Sequence, residues 1–136
     1  MRPAVDHEGR IWFGEMGRNY LAYLDPRTQT FHQMTPPHGH NGIMGVLVAP
    51  DDSIWFAEQY ANYTGGLYGL AITPTGEIWV TITGENIIAR LDIAAHNFIY
   101  YPIPTPGSLP FGLVTGANHT IWFTEAGTNK IGMLKP

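Results

Sequence analysis

Three carboxylates and two histidines are the residues of this sequence whose types and spacing could do chemistry. Glu15, Glu58 and Glu125 each end a Trp-Phe-x-Glu string. Repeated carboxylates supply the oxygen ligands that Mg²⁺ or Ca²⁺ prefers. His38 and His40 lie in a Gly- and Pro-rich stretch and could form an acid–base pair or bind a metal. Each group also has a structural interpretation, in which the glutamates accept backbone N–H bonds and the histidines are exposed loop residues.

The glutamates belong to an internal repeat that contains all four tryptophans. The strings are "IWFGE" at 11–15, "IWFAE" at 54–58, "IWVTI" at 78–82 and "IWFTE" at 121–125. The tryptophans are 43, 24 and 43 residues apart, so the middle interval is 19 residues short. Seven residues after each tryptophan comes an asparagine, and these are Asn19, Asn62, Asn86 and Asn129. Because Asn tolerates left-handed backbone and bonds to nearby backbone groups, we expect these four side chains to stabilise turns.

The apolar runs between the turns are short and rich in Ile, Val, Trp, Phe and Tyr, which is typical of strands. The third unit predicts four of them: "LYGLAIT", "IWVTIT", "IIARLD" and "NFIYYPI". A four-stranded antiparallel meander that repeats about every 40–50 residues is the pattern of a β-propeller blade. We therefore predict an all-β fold, a partial β-propeller, open or truncated, with three to four blades. The tryptophans are expected to pack between blades.

The predicted blades differ in completeness. They span approximately 1–36, 43–64, 67–104 and 110–136 of a single domain, residues 1–136. The first has a clipped first strand, the second lacks its two outer strands, and the fourth lacks its last strand. A blade cannot bury both of its faces alone, so the end faces are expected to be apolar patches. Two alternatives stay open: a homo-oligomer through these faces, or a piece of a longer protein.

The composition of the chain argues against some classes of partner. Its 136 residues carry 7 Lys and Arg against 11 Asp and Glu, without a basic cluster, so we expect no nucleic-acid partner. Without cysteine there is no disulfide or thiolate site. The longest apolar-rich stretch, "GIMGVLVAP" at 42–50, is too short to span a bilayer, and no secretory signal is visible. We expect no membrane partner and a cytoplasmic location.

The fourth unit, "PFGLVTGANHTIWFTEAGTNKIGML" at 110–134, resembles a blade of the streptogramin B (virginiamycin B) lyase family. The resemblance is carried by Pro-x-Gly, by Trp-Phe-Thr-Glu and by Asn-x-Ile-Gly-x-Leu, and it extends over nearly the whole chain. It implies a seven-bladed propeller about twice as long as this chain. It also implies linearisation of cyclic depsipeptide antibiotics by elimination at the ester, with a histidine general base and a Mg²⁺ ion held by glutamate.

The sequence departs from this family at the chemical centre. The family places its general-base histidine eleven residues before a tryptophan, where this chain has Met44, Tyr68 and Phe111, or Met1 in the clipped unit. Neither Met nor Phe is a base, and tyrosine is one at neutral pH only if its pKa is strongly lowered. The resemblance therefore implies the fold and leaves the activity open.

The strand directions predict where a ligand would bind. The first two strands of a blade are antiparallel, so the start of the first lies beside the end of the second. This places Met44 near Glu58, Tyr68 near Ile82 and Phe111 near Glu125. We predict that a small molecule or cyclic peptide binds at this rim; the expected binding residues are Met44, Tyr68, Phe111, Asn62 and Asn129.

Two functions remain open at this stage. In the first, the chain is a lyase that uses His38 or His40, with Mg²⁺ bound by Glu15, Glu58 and Glu125. In the second, it is a non-catalytic binding or scaffold propeller, or a truncated piece of a larger one.

Overall fold

The computed structural model describes residues 3–15, 17–36, 42–59 and 66–136. These residues form thirteen strands, all paired antiparallel, with two short 3-10 turns and no α-helix in the described ranges. The all-β prediction is therefore confirmed. No helix within the described part is long and apolar enough to cross a membrane. Contacts group the chain into two compact units, residues 1–63 and 64–136; the single-domain assignment stays a prediction.

The first unit contains two sheets. The first sheet has four strands in sequential order: β1 (Ala4–Val5), β2 (Ile11–Glu15), β3 (Tyr20–Asp25) and β4 (Thr30–Met34). The second sheet pairs only β5 (Gly42–Val48) with β6 (Ile54–Gln59). Within the described residues, the first strand of the first sheet has only two residues and the second sheet has only two strands.

The second unit also contains two sheets. The third sheet has β7 (Leu67–Ile72), β8 (Ile78–Ile82), β9 (Ile87–Asp92) and β10 (Asn97–Pro102) in sequential order. The fourth sheet has three strands: β11 (Pro110–Thr115), β12 (Ile121–Glu125) and β13 (Lys130–Leu134). Within each of these sheets, as far as the described residues show, strands that are consecutive in sequence pair with each other, which is the meander that the repeat predicts.

The core of the second unit lies between the third and fourth sheets. Trp79 is fully buried there, against Ile121 and Phe123 of β12. Strand β12 alternates strictly, so that Ile121, Phe123 and Glu125 are buried and Trp122 is exposed. Side chains of successive strand residues point to opposite faces. The face of the third sheet that carries Trp79 therefore packs on the face of the fourth sheet that is opposite to Trp122.

The first unit repeats this arrangement with a similarly close backbone contact. Trp12 is buried with Leu21, Ile43 and Val46, so it packs between the first and second sheets. On the same face of β2, a Cβ atom on Gly14 would lie 2.6 Å from the carbonyl oxygen of Ile43. Only glycine allows the two strands to approach so closely. The inter-sheet role predicted for the tryptophans is thus confirmed at Trp12 and Trp79, and it is wrong for Trp122 in this structure, where that side chain is 42% exposed.

Asn86 holds the connection between the third and fourth sheets. Its Nδ2 donates to the carbonyl oxygens of Ile103 and Thr105, each at 2.9 Å. Its Oδ1 accepts from the backbone N–H of Ser108 at 2.8 Å and from the Ser108 hydroxyl at 2.5 Å. Ser108 is fully buried, so these bonds replace contacts that water would otherwise make.

Replacing Asn86 with Ala is expected to destabilise the protein strongly, because it leaves buried groups of Ser108 unpaired. Asn129→Ala is the matched control, since Asn129 has a similar left-handed backbone (φ 54° against 61°) and is exposed. Both variants place alanine in the left-handed region, so the difference between them reports the side-chain bonds. We expect Asn86→Ala to lose at least about 2 kcal/mol more in urea unfolding. Equal losses would contradict the bonding role of Asn86.

Asp6 is a buried carboxylate that fixes the edge of the first sheet. Its Oδ2 accepts from the indole Nε1 of Trp12 at 2.7 Å and from Nε of Arg10 at 2.6 Å. Its Oδ1 accepts from the backbone N–H of Arg10 at 2.9 Å. Burial is the largest influence on the pKa of Asp6 and raises it, but the bonds from Trp12 and Arg10 together lower the pKa from 3.8 to about 2.

Because the folded pKa of Asp6 is lowered, its contribution to stability is present above about pH 4 and is lost as the pH falls through about 2. A shift of this size corresponds to about 2.5 kcal/mol. Asp6→Asn should lose about that much at pH 7 and show a flatter decline between pH 4 and pH 2. Glu8→Gln removes an exposed partner of the same Arg10 and should change the unfolding free energy by less than about 1 kcal/mol. An acid decline of Asp6→Asn as steep as that of the wild type would disprove this assignment.

Candidate ligand-binding rim

A β-bulge begins the first strand of the second, third and fourth sheets. In β7 the pairing passes from Leu67–Ile82 to Leu70–Val80, which leaves one extra residue in β7. The same step occurs in β5 and in β11. Bulges re-aim side chains at the ends of sheets. We define the rim as the end of the second unit at which β7 and β11 begin and β8 and β12 end.

The bulges change the predicted pairings by one residue. Glu58 lies opposite Ile43, Ile82 opposite Leu67, and Glu125 opposite Pro110. The expected neighbours Met44, Tyr68 and Phe111 are the next residues along and lie within the bulges. The prediction of position is thus confirmed to within one residue.

Tyr68 and Phe111 form an aromatic pair at the rim. Their ring centroids are 4.4 Å apart with an interplanar angle of 37°. The Phe111 side chain is 44% exposed, and Tyr68 is half-buried. Two of the predicted binding residues are therefore brought together on a surface that a ligand can reach. Met44, by contrast, lies in the first unit, within the β5 bulge.

Thr81 fixes the backbone beneath this pair. Its Oγ1 accepts from the N–H of Gly69 in the β7 bulge at 2.7 Å and donates to the carbonyl oxygen of Phe111 at 3.0 Å. Thr83 donates to the carbonyl oxygen of Pro110 at 2.5 Å. The start of β11 is thus held by two buried hydroxyls, that of Thr81 in β8 and that of Thr83 in the 3-10 turn that follows β8.

The turn asparagines adopt the predicted conformation where the structure describes them. Asn19, Asn86 and Asn129 have φ of 56°, 61° and 54°. Asn129 is exposed in the turn that follows β12, at the rim. Asn62 lies outside the described residues, and its predicted binding role stays a prediction.

The Trp-Phe-x-Glu carboxylates have structural partners in two sheets. Glu125 is buried, and its Oε2 accepts from the Thr128 hydroxyl at 3.1 Å in the next turn. Glu15 Oε1 accepts from the side-chain amide of Gln33 at 2.5 Å. Glu58 has a buried Oε1 that lacks a hydrogen-bond partner among the described residues. Glu15 and Glu125 thus have structural partners, but the donors are side-chain groups and not the backbone N–H groups that the structural interpretation expects.

The predicted metal site would need several His, Asp or Glu side chains to lie close together. Among residues 3–15, 17–36, 42–59 and 66–136, no three His, Asp or Glu side chains come together in a way that could hold a metal ion. No step is therefore assigned to a Mg²⁺ ion. His38 and His40 lie outside those ranges, so their predicted catalytic role and the Mg²⁺ prediction both remain predictions.

The residues that the sequence analysis missed are Thr81, Thr83 and Ser108. One signal was available, since the strings "IWVTI" and "IWFTE" share a threonine at their fourth position. This shared hydroxyl marks the bond to the bulge, because Thr124 accepts from the N–H of Gly112 at 2.8 Å just as Thr81 accepts from Gly69. Nothing in the sequence distinguishes Ser108 from an ordinary loop serine.

Known proteins resemble this chain in fold and, over one short segment, in sequence. No family model matches the chain. The chain is similar to virginiamycin B lyase of Bacillus licheniformis, with 53% identity over 34 residues, which is 25% of this chain and 12% of that protein.

Solved structures give a longer match. A selenomethionine-substituted virginiamycin B lyase from Staphylococcus aureus has a TM-score of 0.86, covering 98% of this chain and 51% of that one. A catalytically inactive histidine-to-alanine variant of virginiamycin B lyase from the same organism, with quinupristin, has a TM-score of 0.87, covering 99% and 52%. A streptogramin B lyase structure has a TM-score of 0.80, covering 98% and 53%. Each is 22% identical to this chain.

The chain spans about half the length of these solved structures, and at this identity the likeness concerns the fold. The prediction of a partial propeller is thereby confirmed. The chain has the fold of about half of a streptogramin B lyase propeller and resembles virginiamycin B lyase in sequence over one 34-residue segment, which confirms the resemblance seen in its repeats.

Proposed function

We propose that this chain is a ligand-binding part of a streptogramin-lyase-type propeller and that it binds a small cyclic peptide or a similar small molecule at the rim. The observation that carries this proposal is the partly exposed aromatic pair of Tyr68 and Phe111. The pair occupies the positions at which the resembled family places its general base. The chain therefore keeps a contact surface where the family has its reacting group.

The aromatic pair suits an apolar or aromatic group of a ligand. Aromatic side chains give a large contact area at a low cost in conformational entropy, and ring pairs favour tilted or offset arrangements. The backbone of Phe111 is already fixed by Thr81, so binding would order few additional groups. Asn129, exposed in the turn after β12, offers an amide that could bond to a peptide carbonyl group of the ligand.

A more specific function would be catalysis, in which the bound ligand is opened by elimination at its ester. Elimination requires a base that removes a proton next to the departing ester oxygen, and neither Met44 nor Phe111 has a basic side chain. His38 and His40 are the remaining candidates named from the sequence. Binding is therefore the proposed function, and a linear product formed from the bound ligand would be the sign of elimination.

Titration of the chain with quinupristin, followed by isothermal calorimetry, is expected to show saturable binding. Phe111→Ala should raise the dissociation constant about 3- to 10-fold, the range expected for losing one aromatic contact. Tyr100→Ala is the matched control, because Tyr100 is exposed on β10 of the same unit and should leave the affinity unchanged. An absence of binding, or equal affinities of the two variants, would refute the aromatic rim as the binding surface.

Mass spectrometry of the same mixtures separates binding from catalysis. Elimination opens the ring without changing its mass, whereas hydrolysis adds one water, so a linear isomer seen by fragmentation would identify a lyase. If that isomer forms, a His38→Ala/His40→Ala variant should abolish it while leaving the calorimetric affinity within about 2-fold. Product formation that survives this double change would exclude these histidines as the base. Addition of Mg²⁺ should raise the melting temperature only if the predicted metal site exists.

A further inference from the structure

The fourth sheet exposes one entire face. This face, which we name the Trp122 face, is made of side chains that point the same way from three adjacent strands: Val114, Trp122, Thr124, Ile131 and Met133. Its four apolar members are between 42% and 66% exposed. Single exposed apolar residues are normal, but a contiguous set across three strands marks an interaction surface.

The corresponding face of the third sheet is covered, and its contacts show how such a face packs. Trp79 and Thr81 stand at the positions of Trp122 and Thr124 within their strings, and both are fully buried. Trp79 packs against the side chains of β12, and the Thr81 hydroxyl donates to the carbonyl oxygen of Phe111 in β11. This kind of face therefore receives the first two strands of another sheet.

The Trp122 face has the same polar group and the same glycine as the covered face of the third sheet, but no strand of the described part of the chain lies over them. Thr124 accepts from Gly112 as Thr81 accepts from Gly69, but no acceptor for its own hydroxyl proton lies within the described residues. A Cβ on Gly69 would lie 2.5 Å from the Phe111 carbonyl oxygen, whereas on Gly112 it would meet nothing closer than Thr124 Oγ1 at 3.4 Å. The space that an incoming strand fills above Gly69 is open above Gly112.

The complementary face lies exposed on the first sheet. This face, which we name the Phe13 face, contains one cross-strand row that joins all four strands: Val5, Ile11, Leu24 and Phe31. Val5, Leu24 and Phe31 are 62%, 36% and 50% exposed, and the Phe31 ring lies 5.6 Å from that of Phe13.

The Phe13 face corresponds to the buried face of the fourth sheet. Ile11 and Phe13 stand at the positions of Ile121 and Phe123, which pack against the third sheet. The equivalent row of the fourth sheet, Thr115–Ile121–Leu134, is covered, and Thr115 donates to the carbonyl oxygen of Ile72 at 3.3 Å. The first sheet offers such a row to solvent.

We propose that the Trp122 face binds the Phe13 face of a second copy of this chain, as the third sheet binds the fourth. The occupant is a second copy because this chain exposes one face of each of the two kinds that pack together within its second unit. The contact is heterologous, so repeating it produces either a closed ring or an open chain of copies. This inference does not depend on the ligand proposed for the rim.

Sedimentation velocity from about 1 to 100 µM should show concentration-dependent association of the wild-type chain. Trp122→Glu and Phe31→Glu each place a charge in one half of the contact and should each weaken association at least about 30-fold, the scale of losing a central anchor. Tyr100→Glu, also a change of an exposed aromatic residue, lies outside both faces and should associate like the wild type.

Mixing the two impaired variants provides the decisive result. Trp122→Glu retains an intact Phe13 face, and Phe31→Glu retains an intact Trp122 face, so the mixture should form a 1:1 complex although neither variant associates alone. A monomeric wild type at 100 µM, or a mixture that stays monomeric, would overturn the proposal. Circular dichroism should show both variants folded; if Trp122→Glu does not fold, Ile131→Glu, at a 66% exposed position of the same face, replaces it.

Discussion

The hydroxyl of Thr81 is the contact on which the described rim depends. It accepts the N–H group that the β7 bulge would otherwise leave unpaired, and it donates to the first strand of the next sheet. The same oxygen atom therefore pairs with the bulge N–H of its own sheet and fixes the position of β11 in the neighbouring sheet. Because Thr81 is fully buried, neither bond competes with water. The Phe111 ring is presented at the rim because the backbone that carries it is held in this way.

The first unit reaches a similar contact between sheets by different chemistry. At the position of Thr81 the first sheet has Gly14, whose missing side chain lets the strand approach Ile43 directly. The indole nitrogens differ as well, since Trp12 donates to Asp6 and Trp55 donates to Ser53, whereas Trp79 Nε1 is buried without a partner among the described residues. The repeat thus conserves the shape of the inter-sheet contact within this chain and varies the polar groups that complete it.

The strands could be predicted from the sequence because their signals are local. Short β-branched and aromatic runs between turn residues fix the type of each element, and the left-handed asparagines follow from the side-chain chemistry of Asn. The exact register could not be predicted, because a bulge adds one residue to a strand without changing its composition. The residues opposite Ile82 and Glu125 are therefore Leu67 and Pro110, each one position before the predicted Tyr68 and Phe111.

The site was predictable in position but not in detail. The rim followed from strand direction alone, whereas the bonds of Glu125 to Thr128 and of Asn86 to Ser108 depend on how turns fold back, which no residue pattern specifies. The glutamates illustrate this difference: a recurring carboxylate indicated metal chemistry as readily as a turn contact. In the structure, Glu15 and Glu125 bond to side chains of their own sheets.

The sequential pairing of the strands also has a consequence for folding kinetics. Every ladder in the described residues joins strands that are adjacent in the chain, so each hairpin closes only a short loop. Closing a short loop costs little chain entropy, so the hairpins can form from local contacts. Each sheet can therefore form before it meets its neighbour, and the docking of sheets through Thr81 and Gly14 becomes the late step that selects the native packing.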